Sequence, residues 1–176
     1  MLFTIIIGIV IIQRLVELFF AKRNEKWMLS QGAFEVGAAH YPVMVAMHIA
    51  FFTTLILEFI ILNRPLSLFW IPLLIVFLFA QVGRIWCLTS LGKFWNTKII
   101  ILPDADVVRK GPYTLIRHPN YLIVSIELLV LPLLFSAYFT AILFSLLNLW
   151  MLSIRIPAEE KALKEATNYR KKFSLE

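Results

Sequence analysis

The chain has 176 residues, of which 60% are hydrophobic, and its mean hydropathy is +0.82. Soluble domains contain roughly 45 to 50% apolar residues, so this composition excludes an ordinary soluble protein and predicts an integral membrane protein. The net charge of +6 does not indicate nucleic-acid binding, because no basic stripe alternates with aromatic residues, and basic residues beside membrane spans instead orient the chain and contact anionic lipids.

One domain is expected over residues 1–176, because the chain has no long linker and no repeat. Within it, residues 1–88 are predicted to hold three transmembrane helices, and residues 89–176 a connector, a helical hairpin and a C-terminal helix. The single cysteine, Cys87, lies in an apolar run and cannot form an internal disulfide. It is predicted to pack as a small hydrophobic side chain.

Three apolar segments near the N-terminus have the roughly 20 residues that a helix needs to cross a bilayer. They are Leu2–Phe20, Tyr41–Leu62 and Leu68–Leu88. The first segment lacks a basic start and a small-residue cleavage site, so we interpret it as a retained helix and not as a signal peptide. Three spans are therefore predicted before residue 89.

A fourth apolar segment, Tyr121–Ile154, is too long for one span. Leu131-Pro132, followed by the sequence FSAY, offers a break near its middle. We expect a tight hairpin of two helices of roughly 15 residues each. The sequence therefore predicts an all-α integral membrane protein with about five transmembrane helices, a cytosolic connector and a C-terminal interfacial helix.

Lysine and arginine are distributed unevenly between alternate loops. Fourteen of the 17 lie in residues 22–40, 89–120 and 155–172, whereas the connection after the second span has only Arg64 and the hairpin tip has none. Basic loops face the cytoplasm. With five helices, this places the N-terminus outside and the C-terminus, including Ser174, inside. The connector and the C-terminal segment then face the cytoplasm.

Charged and polar side chains inside the spans are expected to face protein. Arg14 and Glu17 are three residues apart on one helical face and either neutralise one another or line a lipid pocket. Glu58 is a further intramembrane acid, and Glu127 is expected to pair with Arg84 or with Arg14.

Two histidines, His40 and His48, are separated by about two helical turns. No third ligand at a suitable spacing accompanies them, so no metal site is predicted.

The connector, Ser90–Asn120, is the longest stretch between spans and contains a β-like patch at Ile99–Leu102. After Pro119 the chain can enter a helix whose first turn presents backbone N–H groups, and such a helix start attracts carboxylate or phosphate. The alternative is a cap at the membrane border, with Arg117 snorkelling and Tyr121 anchoring at the interface.

A second polar cluster follows the predicted hairpin, where Arg155, Glu159 and Glu160 lie within about one helical turn. The basic residues after it predict a helix on the membrane surface. Because a hairpin brings its two ends together, we expect this cluster to lie close to Arg117 and His118. A mixed-charge pocket on the cytosolic side suits a zwitterionic cofactor.

These motifs together resemble the signature of the isoprenylcysteine carboxyl methyltransferase family of membrane enzymes. The resemblance rests on GPYTLIRHPNY, an apolar hairpin and then R…EE…Y; it covers roughly residues 80–173 and includes LGKFW, Leu91–Trp95. QRLVELFFAKRNEKW and HYPVMVAMH, Gln13–Trp27 and His40–His48, are more similar to a short bacterial branch. Some members of that branch methylate polyketide-derived lipids such as alkylpyrones.

The resemblance implies an S-adenosylmethionine-dependent O-methyltransferase in the bacterial plasma membrane, among membrane lipids, with its active site facing the cytoplasm. Its acceptor would be lipophilic, either a prenylcysteine-like carboxylate or a lipid enol or phenol. The positions that match the family's cofactor-binding motifs are Arg117, His118, Pro119, Tyr121, Glu159 and Glu160.

Physical chemistry suggests a role for several of these groups. Glu159 or Glu160 can receive the cofactor's ammonium and the helix start its carboxylate, while Tyr113 or Phe94 can pack on adenine. Methyl transfer needs alignment and a dehydrated nucleophile more than a strong base.

An arginine can hold an anionic acceptor during that transfer. Arg155 is the first candidate and Arg84 the second. The alternative for Arg155 is a snorkelling interfacial residue.

Two other functions stay open. One is an NADPH-dependent reductase, because the C-terminal halves of membrane sterol reductases resemble this family. Against it, the chain has no Gly-rich dinucleotide turn. A non-catalytic membrane scaffold would explain the spans but not the polar clusters at both ends of the hairpin. Binding of S-adenosylhomocysteine or of NADPH separates the three.

Overall fold

The structure, a computed structural model, describes residues 1–173, and Ser174 lies outside the described residues. The fold is mainly helical, with one small antiparallel sheet. Along the chain its elements are α1 (Leu2–Ser30), β1 (Phe34–Val36), α2 (His40–Ile61), α3 (Trp70–Leu91), a 3-10 turn (Gly92–Phe94), β2 (Ile99–Ile101), a second 3-10 turn (Gly111–Thr114), α4 (Pro119–Leu134), α5 (Tyr138–Ala166) and α6 (Tyr169–Lys172).

Four helices, α1, α2, α3 and α5, are long and apolar enough to cross a membrane. Helix α4 is also apolar but has only 16 residues. Many large apolar side chains are exposed on these helices, for example Ile9 and Phe79, and lipid is the environment that suits such surfaces. The predicted integral membrane character is therefore confirmed.

Helix α1 is longer than its apolar segment. The apolar run ends at Phe20, but the helix continues to Ser30 and stops before Gly32, whose φ is +91°. Residues 21–30 contain good helix formers and neither glycine nor proline, so nothing in that stretch ends the helix. Hydropathy therefore predicts the part of a helix that suits lipid. The end of the helix is set by residues, such as Gly32, that favour a non-helical backbone.

The break between α4 and α5 lies in the FSAY part of the predicted stretch and not at Leu131-Pro132. Helix α4 runs through Pro132 to Leu134, and the connection is formed by three residues around Ser136, whose φ is +54°. Proline lacks its own N–H, but its carbonyl still accepts hydrogen bonds, here from the backbone N–H groups of Phe135 and Ala137, both at 3.0 Å. Pro132 therefore stabilises the end of α4 and does not interrupt the helix.

The expectation of a short second helix followed by a separate C-terminal surface helix is wrong. Helix α5 has 29 residues and continues through Pro157 to Ala166, so Arg155, Glu159 and Glu160 all lie within it. The sequence after Pro157, AEEKALKEA, consists of strong helix formers, which outweigh the one backbone hydrogen bond that a proline removes. The helix that follows, α6, has four residues.

Two compact units make up the chain. The sheet unit comprises residues 1–38, 91–108 and the residues from Ala158 onward, and the helical unit comprises residues 39–90 and 109–157. The expected single domain over residues 1–176 stays a prediction.

The sheet unit is built around the isoleucines of β2. Val36, Glu35 and Phe34 of β1 pair with Ile99, Ile100 and Ile101 respectively. Because successive side chains of a strand point to opposite faces, β2 is buried on both sides: Ile100 packs in a cluster with Met28 and Ala33, and Ile99 and Ile101 pack in another with Ala162. The predicted β-like patch at Ile99–Leu102 is confirmed, whereas β1 was not predicted.

The helical unit contains a buried carboxylate that caps α5. Glu58 of α2 accepts hydrogen bonds from the backbone N–H of Phe139 at 3.2 Å, the backbone N–H of Thr140 at 2.8 Å and the Thr140 hydroxyl at 2.7 Å. Arg64 pairs with Glu58 at 3.3 Å and lies over the Tyr138 ring. A carboxylate at a helix N-terminus satisfies backbone N–H groups and complements the helix dipole. The end of α2 and the start of α5 are therefore neighbours.

Replacing this carboxylate tests the cap. Glu58→Ala removes an acceptor of three hydrogen bonds and should lower the free energy of unfolding in detergent by about 2 kcal/mol. Arg64→Met removes the ion-pair partner but leaves the cap, and its effect should be less than half as large. Equal losses of stability in the two variants would show that the ion pair, and not the cap, is the important interaction.

Candidate active site

Gly111 sets the path of the connector into the RHPNY motif. Its φ is +56°, and a Cβ added there would lie 2.2 Å from Ser90 Oγ and 2.9 Å from Trp86 Nε1. Only glycine fits such a conformation against so close a neighbour. The 3-10 turn that begins at Gly111 therefore packs against the end of α3.

Tyr113 follows in the same turn and is 8% exposed. Its side chain lies beside the buried Cys87 thiol of α3. Cys87 is fully buried, which confirms the expected packing of this residue. Phe94, the other aromatic candidate for adenine, lies edge-on to Trp27 within the sheet unit, with 5.8 Å between the ring centroids.

The start of α4 is formed by RHPNY. His118 is the N-cap residue, with a non-helical backbone of φ −127° and ψ +59°, and Pro119 occupies the first helical position. The His118 ring stacks on Tyr121, with 5.5 Å between centroids, whereas Arg117 is exposed. The His118 side chain makes no capping hydrogen bond to this helix start. The predicted helix start after the proline is confirmed.

Arg84, the second candidate for the acceptor, is paired. It donates two hydrogen bonds to the Glu127 carboxylate, one of them from Nε at 2.9 Å, and Gln81 donates to the same carboxylate at 2.8 Å. Both side chains of the pair are less than 10% exposed. An anionic acceptor would therefore have to compete with Glu127 for this guanidinium.

The other intramembrane acids also have defined partners. Of the two arginines considered for Glu127, Arg84 is its partner, whereas Arg14 pairs with Glu17 at 2.6 Å. The predicted structural pairing of Arg14 and Glu17 on one helical face is confirmed.

Arg155, the first candidate for the acceptor, is only 3% exposed. A snorkelling side chain would extend its guanidinium into solvent, so the snorkelling alternative is wrong. A buried guanidinium keeps its charge and must be compensated by nearby groups. Arg155 is therefore a buried cation within α5.

The paired glutamates lie one turn further along α5. Glu160 bonds to Lys164 at 2.9 Å, an ordinary pair between residues four apart on a helix. Arg155 and Glu159 are separated by four residues of the same helix. That Glu159, Glu160 and His118 share one cofactor site stays a prediction.

The sequence did not reveal how the connector is attached to α1. The Asn24 carboxamide donates to the carbonyls of Gly92, at 3.1 Å, and Trp95, at 2.7 Å. Lys98 bonds to Glu25 at 2.8 Å and Glu35 at 3.0 Å. The partners are separated by more than 60 residues, and no local pattern in the sequence links them.

Lys98 donates hydrogen bonds to Glu25 and Glu35, and these bonds raise the pKa of its ammonium above its ordinary value, with the larger contribution from Glu25. The stability that follows from a raised pKa is complete below the ordinary lysine pKa and is lost as the pH rises through the raised one.

Removing this ammonium should therefore have a pH-dependent effect. Lys98→Met should lower the free energy of unfolding by about 1 kcal/mol at neutral pH, since both pairs are partly exposed. The difference from wild type should shrink above the ordinary lysine pKa. Lys171→Met, a change at an exposed lysine, is the control. A loss that is the same in both variants would contradict a specific role for Lys98.

Across the part of the chain that the structure describes, no group of three or more His, Cys, Asp or Glu side chains is placed to hold a metal ion. The His48 ring nitrogen Nδ1 lies 2.8 Å from the Met44 carbonyl, within its own helix.

The chain is a membrane protein with a proline-started helix and a second polar cluster at residues 155–160. The model of the isoprenylcysteine carboxyl methyltransferase (ICMT) family matches residues 73–165, which include both clusters. The chain belongs to this family.

Two bacterial relatives extend the similarity beyond the matched residues. The chain is 46% identical over 164 residues to YpbQ, an uncharacterized protein of Bacillus subtilis, with 93% of this chain and 98% of that protein covered. It is 30% identical over 151 residues to an uncharacterized protein of Haemophilus influenzae, with 85% and 88% covered. No solved structure matches significantly.

Proposed function

We propose that this protein is an S-adenosylmethionine-dependent O-methyltransferase that acts on a lipophilic acceptor at the boundary of membrane and cytosol. The observation that carries the proposal is the family match over residues 73–165, which contains RHPNY and the paired glutamates. The acceptor class is a prenylcysteine-like carboxylate or a lipid enol or phenol, such as an alkylpyrone.

Bound S-adenosylmethionine would supply an activated methyl group together with a carboxylate and an ammonium. The residues present fit that chemistry. Helix α4 starts at Pro119, and its first-turn backbone N–H groups, which the His118 side chain does not cap, suit a carboxylate. Glu159 and Glu160 suit an ammonium. The remaining proposed cofactor-binding residues are Arg117, His118, Tyr121 and Tyr113.

Arg155 is the proposed partner of the anionic acceptor oxygen. Its burial supports this role, because a guanidinium away from water interacts more strongly with an anion and orients it without competition from solvent. Arg84, whose guanidinium is hydrogen-bonded to Glu127, is the second candidate.

Two variants separate these roles. Arg155→Ala should mainly slow methyl transfer and leave the affinity for S-adenosylhomocysteine within a few fold. Glu160→Gln should weaken that affinity by about 1.5 to 3 kcal/mol, the contribution of a charged hydrogen bond. Because Glu160 also bonds to Lys164, Lys164→Met is the matched control for loss of the ion pair alone.

Calorimetry measures the affinity, single-turnover kinetics measures the chemical step, and melting in detergent checks that each variant is folded. Arg155 would belong to the cofactor site if Arg155→Ala abolished binding of S-adenosylhomocysteine in a folded protein. Binding of NADPH in place of S-adenosylhomocysteine would instead favour a reductase.

For the membrane arrangement, we propose five spans, with α4 and α5 as the hairpin, an external N-terminus and the active site on the cytoplasmic side of the bacterial plasma membrane. Helix α4 would cover about 24 Å of a hydrocarbon core of about 30 Å, so the bilayer would thin around it. Two observations support the hairpin. Asn148 of α5 donates to Ser125 of α4 at 2.8 Å, and Ser67, before α3, donates its backbone N–H to Leu134 at 3.1 Å.

Cysteine labelling of intact cells tests this orientation. The labelled position on the external side must be accessible to the reagent. Ser67 and Ser136, in the two external connections, are buried, whereas Leu68 is 96% exposed and is therefore the position to label. Leu68→Cys should react with a membrane-impermeant maleimide, whereas Lys110→Cys, in the exposed part of the connector, should react only after the membrane is opened. The native Cys87 is fully buried and should give little background. The reverse pattern would place the active site outside.

A further inference from the structure

Helix α1 carries three exposed cations just beyond its apolar run, Lys22, Arg23 and Lys26. A fourth exposed cation, Lys93 of the first 3-10 turn, lies against the same part of the helix, because its Nζ is 5.1 Å from the centre of the Trp27 ring. All four residues belong to the sheet unit. They are called the cationic cluster below.

Within residues 1–173, no carboxylate forms an ion pair with any member of the cationic cluster. At 3.6 residues per turn, the three members on α1 lie within an arc of about 100° of the helix surface. The two acids of this part of α1 lie outside that arc and are paired elsewhere, Glu17 with Arg14 and Glu25 with Lys98. The described chain therefore leaves four positive charges for an external anion.

The surface of α1 that carries the cluster continues into the apolar segment as an exposed apolar face. By the same helical period, Leu15, Val16 and Phe19 have roughly the angular positions of the cations, one to two turns earlier. Phe19 is 67% exposed, and the other two are also exposed. A phospholipid places its phosphate where the hydrocarbon ends and its acyl chains alongside the apolar segment. This face matches both parts, whereas a soluble anion would match the cations alone.

Lys93 is held beside α1 by contacts of its neighbours. The Asn24 carboxamide donates to the carbonyls of Gly92 and Trp95, on either side of Lys93, at 3.1 and 2.7 Å. The Trp27 ring attracts the Lys93 ammonium through a cation–π contact, and the ammonium keeps its hydrogens for an anion. A cation fixed in this way loses little entropy when it binds. The cluster therefore joins α1 to the connector at one prepared position.

We propose that the cationic cluster binds the headgroup of an anionic phospholipid whose acyl chains lie along the exposed apolar face of α1. Lys22 and Lys26 are four residues apart and repel one another, and a bound phosphate removes that repulsion. A zwitterionic headgroup brings a cation of its own, which four positive charges disfavour, so the site selects lipids with net negative charge. The site is separate from methyl transfer and does not depend on it.

Native mass spectrometry of the full-length protein in neutral detergent tests the site, with phosphatidylglycerol and phosphatidylcholine of equal acyl chains. The wild type should bind phosphatidylglycerol at least about 10-fold more tightly than phosphatidylcholine. A triple variant, Lys22→Gln with Lys26→Gln and Lys93→Gln, should bring this ratio below about 3, because each cation at an anionic membrane surface contributes a preference of roughly 5-fold. Glutamine keeps the helix propensity of lysine. Lys26→Gln alone should lower the ratio about 3- to 5-fold and serves if the triple variant does not fold.

The matched control removes three exposed lysines outside the cluster: Lys110→Gln, Lys161→Gln and Lys171→Gln. This control has the same net charge as the triple variant and should keep the ratio within about 2-fold of wild type. Because a ligand that binds the folded state stabilises it, phosphatidylglycerol should raise the Tm of the wild type and the control more than that of the triple variant.

Three results would overturn the inference. One is a wild-type protein that binds the two lipids equally. Another is an equal loss of preference in the triple variant and its control, which would show attraction by net charge and not a site. The third is full competition by glycerophosphoglycerol, the same headgroup without acyl chains, which would show a site for soluble anions. None of these results bears on methyl transfer, which S-adenosylhomocysteine binding tests separately.

Discussion

The Asn24 carboxamide holds the first part of the connector, Gly92 to Trp95, in place. The connector has little helix or strand, so many of its backbone carbonyls need hydrogen-bond partners from other parts of the chain. Asn24 supplies two such bonds, to Gly92 and Trp95, and Lys98 adds ion pairs to the same part of the chain. Residues 24–35 lie outside the segment that matches the family. Residues 92–98 of the matched segment are therefore held by a part of the chain that the family model does not describe.

Buried charge organises the helical unit in a comparable way. Glu58 connects α2 to the start of α5, and Arg84 connects α3 to Glu127 of α4. Such pairs add little net stability, because removing two charges from water costs about as much as their attraction returns. A wrong helix neighbour, however, would leave a buried charge without a partner, which costs far more. These interactions therefore specify which helices are adjacent.

The sequence predicted the features that depend on local pattern. Hydropathy located the spans, Pro119 located the start of α4, and the run Ile99–Leu102 located β2. It misplaced the limits that depend on competition between neighbouring residues: α1 continues past its apolar run, and α5 continues past Pro157. It could not show the Asn24, Lys98 or Glu58 contacts, because each joins residues that are far apart in the chain and whose side chains look like ordinary solvated or intramembrane polar groups.

The two candidate arginines for the acceptor lie in different surroundings. The sequence ranks Arg155 first and Arg84 second. In the structure, Glu127 takes two hydrogen bonds from Arg84, so an anion arriving there would face the repulsion of a buried carboxylate at close range. Arg155 lies in a helix whose next turn carries the paired glutamates. The two proposed kinds of ligand group, a cation for the acceptor and carboxylates for an ammonium, would then come from the same continuous helix, α5.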